Sequence, residues 1–270
     1  MTPDQATAEK NRLSGKDLTG LDLSGRDLNG AEMAEADLTG ATLCRTTFQK
    51  ANLYRARLRQ ADLTGADFSG ADLTEANISG SELTETCFEN AVLEGADFRE
   101  SILHGANLDH TDQTGAYLAK AYLVEASFKE ADMKASDLRE AQLYGANLRG
   151  ADLRYAKLIG ANLQEADLTG ADLSHADLSG AALENAVLKN ADLDSSNLTG
   201  AHFGNTDLSG ALLDNVQGVC CEQIKNARLT RDTRLPETIT VHWNPGLENS
   251  ESASVTGEQL DCRDQEKSET

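Results

Sequence analysis

The sequence predicts an all-β protein, a parallel β-solenoid whose chain turns a corner in every five residues. From Leu13 to Leu213 every fifth residue is apolar in one uninterrupted frame of 41 positions, 31 of them Leu, and Gln113 is the exception. From Ala31 to Ala211 the position two residues earlier is Ala at 29 of 37 places and Ser or Thr at the others. Asp or Asn often stands between the two positions, and Gly often ends the five residues.

A five-residue period does not fit the two common elements. Five residues of an α-helix advance by about 500°, so a leucine stripe would wander around the helix. In a flat strand an odd period sends successive leucines to opposite faces. Leucine and alanine therefore line one interior only if the chain bends between short extended sides. Gly, Asn, Asp, Ser and Thr suit such corners, and stacked coils then exchange backbone hydrogen bonds.

The repeat A(D/N)LXX, as in Ala151-Asp152-Leu153, resembles the pentapeptide-repeat family over about three quarters of the chain. The resemblance implies a right-handed, four-sided (quadrilateral) parallel β-helix with twenty residues per coil. About ten coils at roughly 4.8 Å would form a rod about 48 Å long. The residues alone do not fix the number of sides, because four of the six phenylalanines share a column at a spacing of 20 residues and four share one at a spacing of 15.

The ends of the repeat are expected to differ from its middle. Residues 1–12 form a polar segment with little that could cap the solenoid, and Lys16, Leu21 and Arg26, which stand where Ala belongs, are expected to splay the first coil. The repeat occupies 13–217. Residues 218–245 read as a C-terminal cap, with a helix over 219–229 and a strand over 238–243 that places Trp243 on the last coil. Residues 246–270, acidic and almost without apolar side chains, are expected to be disordered.

Composition excludes several function classes. With 45 Asp and Glu against 24 Lys and Arg, the formal net charge is −21, which argues against direct binding of nucleic-acid phosphates. No apolar run is long enough to span a membrane. The cysteines form no disulfide framework and no zinc motif, which favours a reducing, cytoplasmic compartment, with Cys44 and Cys87 as exposed thiols and Cys220 and Cys221 as packing residues of the cap. No catalytic motif or histidine pair is recognisable, so we expect no enzyme activity, cofactor or metal.

One group of outward positions is apolar instead of polar. In coils of twenty residues these side chains lie on two adjacent sides of the rod. Exposed apolar and tyrosine side chains are typical of protein interfaces, although they could equally stiffen neighbouring coils. The members of this candidate interface are Ile102, Tyr117, Tyr122, Val124, Tyr144 and Ile159.

A column of aspartates suggests a second surface. Carboxylates stacked at about 4.8 Å coarsely resemble duplex phosphates, whereas the structural alternative, which we favour, is that each one bonds its own corner backbone. Lys134 and Arg154 dilute the column. We call it the aspartate ladder, and it comprises Asp112, Asp132, Asp152, Asp172 and Asp192.

Basic residues concentrate in a single coil, next to a stretch without any. This basic belt is either a docking feature or a solvated surface that balances its acidic neighbours, and the second interpretation is favoured. It comprises Arg45, Lys50, Arg55, Arg57 and Arg59.

Taken together, the sequence predicts a non-enzymatic protein-binding rod with an unidentified protein partner. The alternative is a DNA-mimicking protein that binds and protects DNA gyrase, as pentapeptide-repeat proteins of the quinolone-resistance type do. The uninterrupted frame lacks projecting loops, so no gyrase-contact residues carry over. A homodimer through the cap or the candidate interface stays open.

Overall fold

The computed structural model describes residues 1–242 and 260–262. Its regular elements are short: helix α1 (Pro3–Ala8), a 3-10 turn (Lys10–Arg12), helix α2 (Cys221–Ile224), strand β1 (Ile239–Val241) and strand β2 (Leu260–Cys262). Between the 3-10 turn and α2 the chain is a β-solenoid. No helix in the described residues is long and apolar enough to cross a bilayer.

Parallel bridges between residues twenty apart hold the solenoid together. They run in four columns, which begin at the pairs Asp17–Asp37, Asp22–Thr42, Asp27–Thr47 and Glu32–Asn52. The columns are five residues apart in sequence, so each twenty-residue coil contributes one bridge to each of four sides. This spacing decides between the two phenylalanine patterns. Rings twenty residues apart stack directly, with centroids 4.7 Å apart for Phe48 and Phe68.

The corners lie at every fifth residue. From Gly15 to Gly210 each of these residues has a positive φ, and 22 of them are not glycine. A β-turn hydrogen bond closes nearly all of these corners, as where Ala36 N–H donates to the Met33 carbonyl at 3.0 Å. A left-handed residue is the one that a type II turn requires, and glycine adopts that conformation without steric cost. This is why glycine so often ends the pentapeptide.

Two corners of the same column offer a matched test of this conformation. Ala135 has a φ of 54° and no side chain beyond Cβ, while Gly115, one coil earlier, has a φ of 67°. A Cβ added to Gly115 would meet nothing within 4 Å, so only the backbone conformation is tested. We expect Ala135→Gly to raise the free energy of unfolding by about 1 kcal/mol and Gly115→Ala to lower it by a similar amount. Urea unfolding of both variants checks this, and the same sign for both would contradict it.

The interior is a dry column of leucine and alanine. The apolar frame positions from Leu13 to Leu213 are at most 1% exposed. Where Ser or Thr replaces Ala, six of the eight hydroxyls donate to a backbone carbonyl, as Thr46 Oγ1 does to Leu23 of the preceding coil at 2.7 Å, whereas Ser136 and Ser196 are buried without a partner. The exception Gln113 is fully buried, and its Nε2 donates to Thr111 Oγ1 at 2.7 Å, while its Oε1 has no protein partner. The amide therefore fits without interrupting the coil.

The N-terminal segment differs from expectation, because it does cap the rod. Thr2 and Gln5 form a capping box at the start of α1, and Ala6 is fully buried against the core. The backbone carbonyl of Lys10 accepts from Glu32 N–H at 2.9 Å, which ties the segment to the first coil. The first coil is not splayed either: the chain around Lys16 keeps its corner and its bridge, because both use backbone atoms and not the alanine side chain.

The C-terminal cap is present but less helical than the expected 219–229. Helix α2 ends at Ile224, because Arg228 must be extended to form a bridge with Asp207 of the last coil. Gln223 Nε2 donates to the carbonyls of Leu198 and Ala201, both at 3.0 Å, which fixes α2 to the rod.

Strand β1 lies where the edge strand was expected, and it pairs antiparallel with β2. Strand β2 falls within the segment 246–270 that the sequence predicts to be disordered, so for those three residues the prediction is wrong. Leu260 packs against the core, which explains the pairing. Trp243 and the rest of that segment lie outside the described residues. Cys221 packs against the core as expected and is also disulfide-bonded, which was not expected, whereas Cys220 is exposed, contrary to its expected packing.

Candidate interaction face

On one side of the rod the outward residues include no Asp, Glu, Lys or Arg over four successive coils, and the bridged column stays uncharged in a fifth coil, where Glu184 lies beside it. Its bridged column reads Ile102, Tyr122, Gln142, Asn162 and Ala182. We call the side defined by this column the tyrosine face. In a chain with 45 acidic residues, no other bridged column among the described residues has an uncharged run of this length. The aspartate ladder lies two corners away, on the opposite side of the coil.

The apolar side chains of the tyrosine face are open to solvent. Tyr122 is 53% exposed, Ile102 is 40% exposed and Tyr144, at the edge of the next coil, is 37% exposed. Val124 is half-buried beside Tyr122. A shallow groove of about 670 Å³ runs between Tyr122, Val124 and Tyr144, with Gln142 and Asn162 on its floor. The structure therefore brings four of the six predicted interface residues together on one side.

Polar groups at the groove fix the orientation of its side chains. Asn162 Nδ2 donates to Gln142 Oε1 at 3.3 Å across adjacent coils. The Tyr144 hydroxyl donates to the Glu165 carboxylate, and this hydrogen bond, together with burial and nearby negative charge, raises the pKa of Tyr144 above its usual value. The tyrosine is therefore a neutral donor anchored at one end, with its ring free for contact.

The other two predicted interface residues are not part of this cluster. Tyr117 belongs to the preceding side, where its ring lies 5.9 Å from the Arg99 guanidinium and its column neighbour is Asp137. Ile159 lies at the corner between the two sides, 38% exposed. Charged side chains separate both from Tyr122. For these two residues, the sequence pattern correctly predicted that the side chains are exposed, but not that they lie outside the cluster around Tyr122.

Sequence reasoning missed two exposed apolar residues. Tyr155 is 59% exposed at a corner and stacks on His175 of the next coil with centroids 4.9 Å apart. Val92 is 39% exposed in the column that continues into the aspartate ladder. Both lie away from the tyrosine face. Writing the sequence in rows of twenty would have shown the Tyr155–His175 neighbours and the uncharged column alike.

The aspartate ladder has the structural role that the sequence analysis favoured. Successive members are bridged, and each Oδ1 accepts the backbone N–H two residues later, as at Asp112 and Thr114 (3.0 Å) and Asp192 and Asp194 (2.9 Å). These are Asx turns that fix the corner. One oxygen of each carboxylate is thus used within the protein.

Two basic side chains neutralise the centre of the ladder. Lys134 Nζ lies 3.2 Å from Asp152 and bonds Asp132 at 2.5 Å, and Arg154 contacts Asp152 at 2.7 Å and Asp172 at 3.5 Å. Burial of Asp152 would raise its pKa, but the hydrogen bonds from Arg154 and Lys134 outweigh it and hold the pKa below the usual value. The ladder is therefore an ionised, partly paired surface and not a bare row of negative charge.

The basic belt is distributed around one coil and does not form a patch. Arg45, Lys50 and Arg55 occupy three successive corners, and Arg57 and Arg59 follow on the next side. Arg55 pairs with Glu75 at 2.7 Å and Arg57 with Asp37 at 3.3 Å. The stems of Arg45 and Lys50 lie over Gly65 and Gly70 of the next coil. This arrangement supports the interpretation of a solvated, charge-balanced surface.

Reactive groups are scattered in the described residues. Cys44 and Cys87 are half-buried and not exposed, and burial and the nearby Asp62 raise the pKa of Cys44. His110 Nδ1 lies 3.5 Å from Glu130, one coil away, a pairing that the linear spacing did not reveal. Within 1–242 and 260–262, no three His, Cys, Asp or Glu side chains form a metal-binding group.

Among known protein families, one matches the repeat region of this chain. A family model described as pentapeptide repeats matches in eight copies, over residues 12–49, 51–90, 76–112, 114–150, 146–181 and 176–215. A search of curated proteins gives no match.

Solved structures include similar chains. HetL, a pentapeptide repeat protein involved in heterocyst differentiation regulation from the cyanobacterium Nostoc sp. strain PCC 7120, is 32% identical with a TM-score of 0.52, over 80% of this chain and 96% of HetL. Full-length QnrB1, a plasmid-mediated fluoroquinolone resistance protein, is 16% identical with a TM-score of 0.37, over 80% of this chain and 94% of QnrB1. The latter similarity supports no statement about function.

Proposed function

The chain belongs to the pentapeptide-repeat family, and from the layout of its sides we propose that it is a non-enzymatic rod that binds another protein through the tyrosine face. Members of this family are typically structural or binding proteins. We propose that the rod is the right-handed, four-sided β-helix of about ten coils that the family resemblance implies.

The observation that carries the proposal is the uncharged, apolar character of the tyrosine face. Solvent-exposed sides of this rod are otherwise rich in Asp, Glu, Lys and Arg, which keep such a protein soluble and monomeric. The contiguous residues Ile102, Tyr122, Val124 and Tyr144 are uncharged and at least partly exposed, so they do not help to prevent association in this way. Exposed apolar patches rimmed by polar residues mark interaction sites, and tyrosine is enriched among residues that dominate binding energy.

The DNA-mimic alternative receives less support from the described residues. Mimicry of a duplex needs free negative charge at regular spacing along one surface. In the aspartate ladder, Asx turns use one carboxylate oxygen of each residue, and Lys134 and Arg154 compensate the central three. We therefore base the proposed function on the opposite side of the rod.

Partner capture with a double substitution tests the proposal. We expect Tyr122→Ser with Tyr144→Ser to weaken binding of a partner captured from the native host by about 100-fold or more, since hot-spot tyrosines each contribute about 2 kcal/mol, their effects do not add fully, and every 1.4 kcal/mol is a factor of ten. The measurement is cross-linking and mass spectrometry on the full chain, followed by titration of the identified partner.

The matched control is Tyr54→Ser with Tyr155→Ser, which removes two tyrosines from other parts of the rod. This control is expected to bind normally. If the partner binds the Tyr122/Tyr144 variant as tightly as the unmodified protein, while thermal unfolding is unchanged, the tyrosine face is not the binding site.

A further inference from the structure

Glutamates line both edges of the tyrosine face. Each occupies a corner, is exposed and has a φ between 58° and 60°. Three lie along the edge that follows the face in the chain, although Glu85 stands one coil before Ile102, and two lie on the edge that precedes the face. They are Glu85, Glu125 and Glu165 on the first edge and Glu100 and Glu140 on the second.

Few cations offset these glutamates. Among the corner residues on these two edges along the tyrosine face, Lys120 is the one Lys or Arg. Its Nζ lies 3.9 Å from Glu140. Arg99 and Arg139 stand just before the corner, but each is bound through two nitrogens to the aspartate two residues earlier, Asp97 and Asp137. Glu85, Glu100 and Glu125 form no ion pair with any residue that the structure describes. The rim of the face is therefore distinctly negative.

The glutamates are not explained by the needs of the backbone. A left-handed corner costs an L-residue about 1–2 kcal/mol compared with glycine, and glycine occupies four corners of the same two edges along the tyrosine face, Gly105, Gly145, Gly160 and Gly180. Glutamate at five other corners adds this strain and like charge, and among these five only Glu140 forms an ion pair with a residue that the structure describes. A role outside the fold accounts for such a pattern.

We propose that the partner of the tyrosine face is a protein segment whose apolar residues are flanked by Lys and Arg. The inference rests on the proposed function and specifies its partner class. The groove beside Tyr122 and Tyr144 takes the apolar side chains, and the glutamate edges contact the flanking cations, which fixes the orientation of the segment and accelerates encounter. A second copy of this chain does not fit, because face-to-face packing would bring glutamate edges against each other.

A random dodecapeptide library displayed on phage and selected on the full-length protein tests this directly. We expect selected peptides to carry apolar residues flanked by Lys or Arg. Synthetic copies should bind about tenfold more weakly to the triple variant Glu125→Gln, Glu140→Gln and Glu165→Gln, with a smaller dependence on salt concentration.

The matched control is the triple variant Glu35→Gln, Glu75→Gln and Glu130→Gln. It makes the same charge change at three left-handed corners that do not border the tyrosine face, and we expect its affinity to change less than twofold. Equal weakening by both triple variants would show general attraction to an acidic protein and overturn the inference.

The outcomes separate this inference from the proposed function. Peptides without basic enrichment that are lost with Tyr122→Ser and Tyr144→Ser, but not with the rim variant, would overturn the inference and leave the binding face intact. Peptides unaffected by the tyrosine substitutions, or no selected peptide at all, would overturn both.

Discussion

Replacing Leu153 by Asp is expected to lower the free energy of unfolding by more than about 4 kcal/mol and to abolish cooperative folding of the central coils. Leu153 is fully buried, and its neighbours in the column are apolar. A carboxylate there would lack both water and a partner, so it would be forced to take up a proton and would still leave unpaired oxygens in the core. Chemical denaturation followed by circular dichroism measures the effect.

Two control variants test whether the effect of Leu153→Asp comes from placing a charge in the core. Leu153→Ala removes volume without adding charge and should cost about 2–5 kcal/mol. Ile159→Asp introduces the same carboxylate at an exposed corner and should change the free energy of unfolding by about 0.5 kcal/mol or less. A Leu153→Asp protein that unfolds like the unmodified chain would contradict the dry core.

Deleting residues 131–135 is expected to keep the solenoid folded but to abolish partner binding, with affinity reduced at least about 100-fold. The deletion joins Glu130 to Ser136 and preserves the five-residue frame, so leucines still point inward. Every residue after the deletion moves back by one side. Tyr144 then leaves the side that holds Ile102 and Tyr122, and the apolar cluster is divided. Loss of the hot-spot tyrosine Tyr144, together with the groove residues Gln142 and Asn162 that move with it, accounts for the expected magnitude.

Deleting residues 171–175 provides the matched control, because it joins Gly170 to Ala176 and rotates only the coils that follow the groove. Both variants should show the same far-ultraviolet dichroism and cooperative unfolding. In isothermal titration with the captured partner, the 171–175 deletion should bind normally and the 131–135 deletion should not bind. Retained binding in the 131–135 deletion would show that alignment of Tyr122 with Tyr144 is unimportant.

The core of this fold could be predicted from the sequence because its evidence is local. Leu13 to Leu213 repeat with one period, and steric reasoning about a single pentapeptide shows that the chain must bend. The number of sides is a different matter, since a corner every five residues closes into any polygon until the bridge partner is known. The pair Phe48 and Phe68, stacked across one coil, fixes the count at twenty residues.

The ends were less predictable for the same reason. Ala6 in a polar segment gives no periodic signal, although its burial by α1 closes the first coil. Strand β2 depends on pairing with β1 across a long sequence separation, which a polar composition does not reveal.

The candidate site was predictable in part. Tyr122 and Tyr144 could be singled out as apolar residues at outward positions. The glutamate edges could not, because Glu125 and Glu140 look like ordinary surface acids until the coil length shows that they border the same face. Assigning residues to sides is thus the step that required the structure.

Distances along one corner column test the central claim most directly. Spin labels at Cys substitutions of Glu35 and Ala135, or of Glu75 and His175, span five coils, and labels at Glu35 and His175 span seven. With the free cysteines 44, 87 and 220 replaced by Ser, double electron–electron resonance should give about 24 Å for both five-coil pairs and about 34 Å for the seven-coil pair. Unequal five-coil distances, or a seven-coil pair that is not about 10 Å longer, would contradict a solenoid of stacked twenty-residue coils.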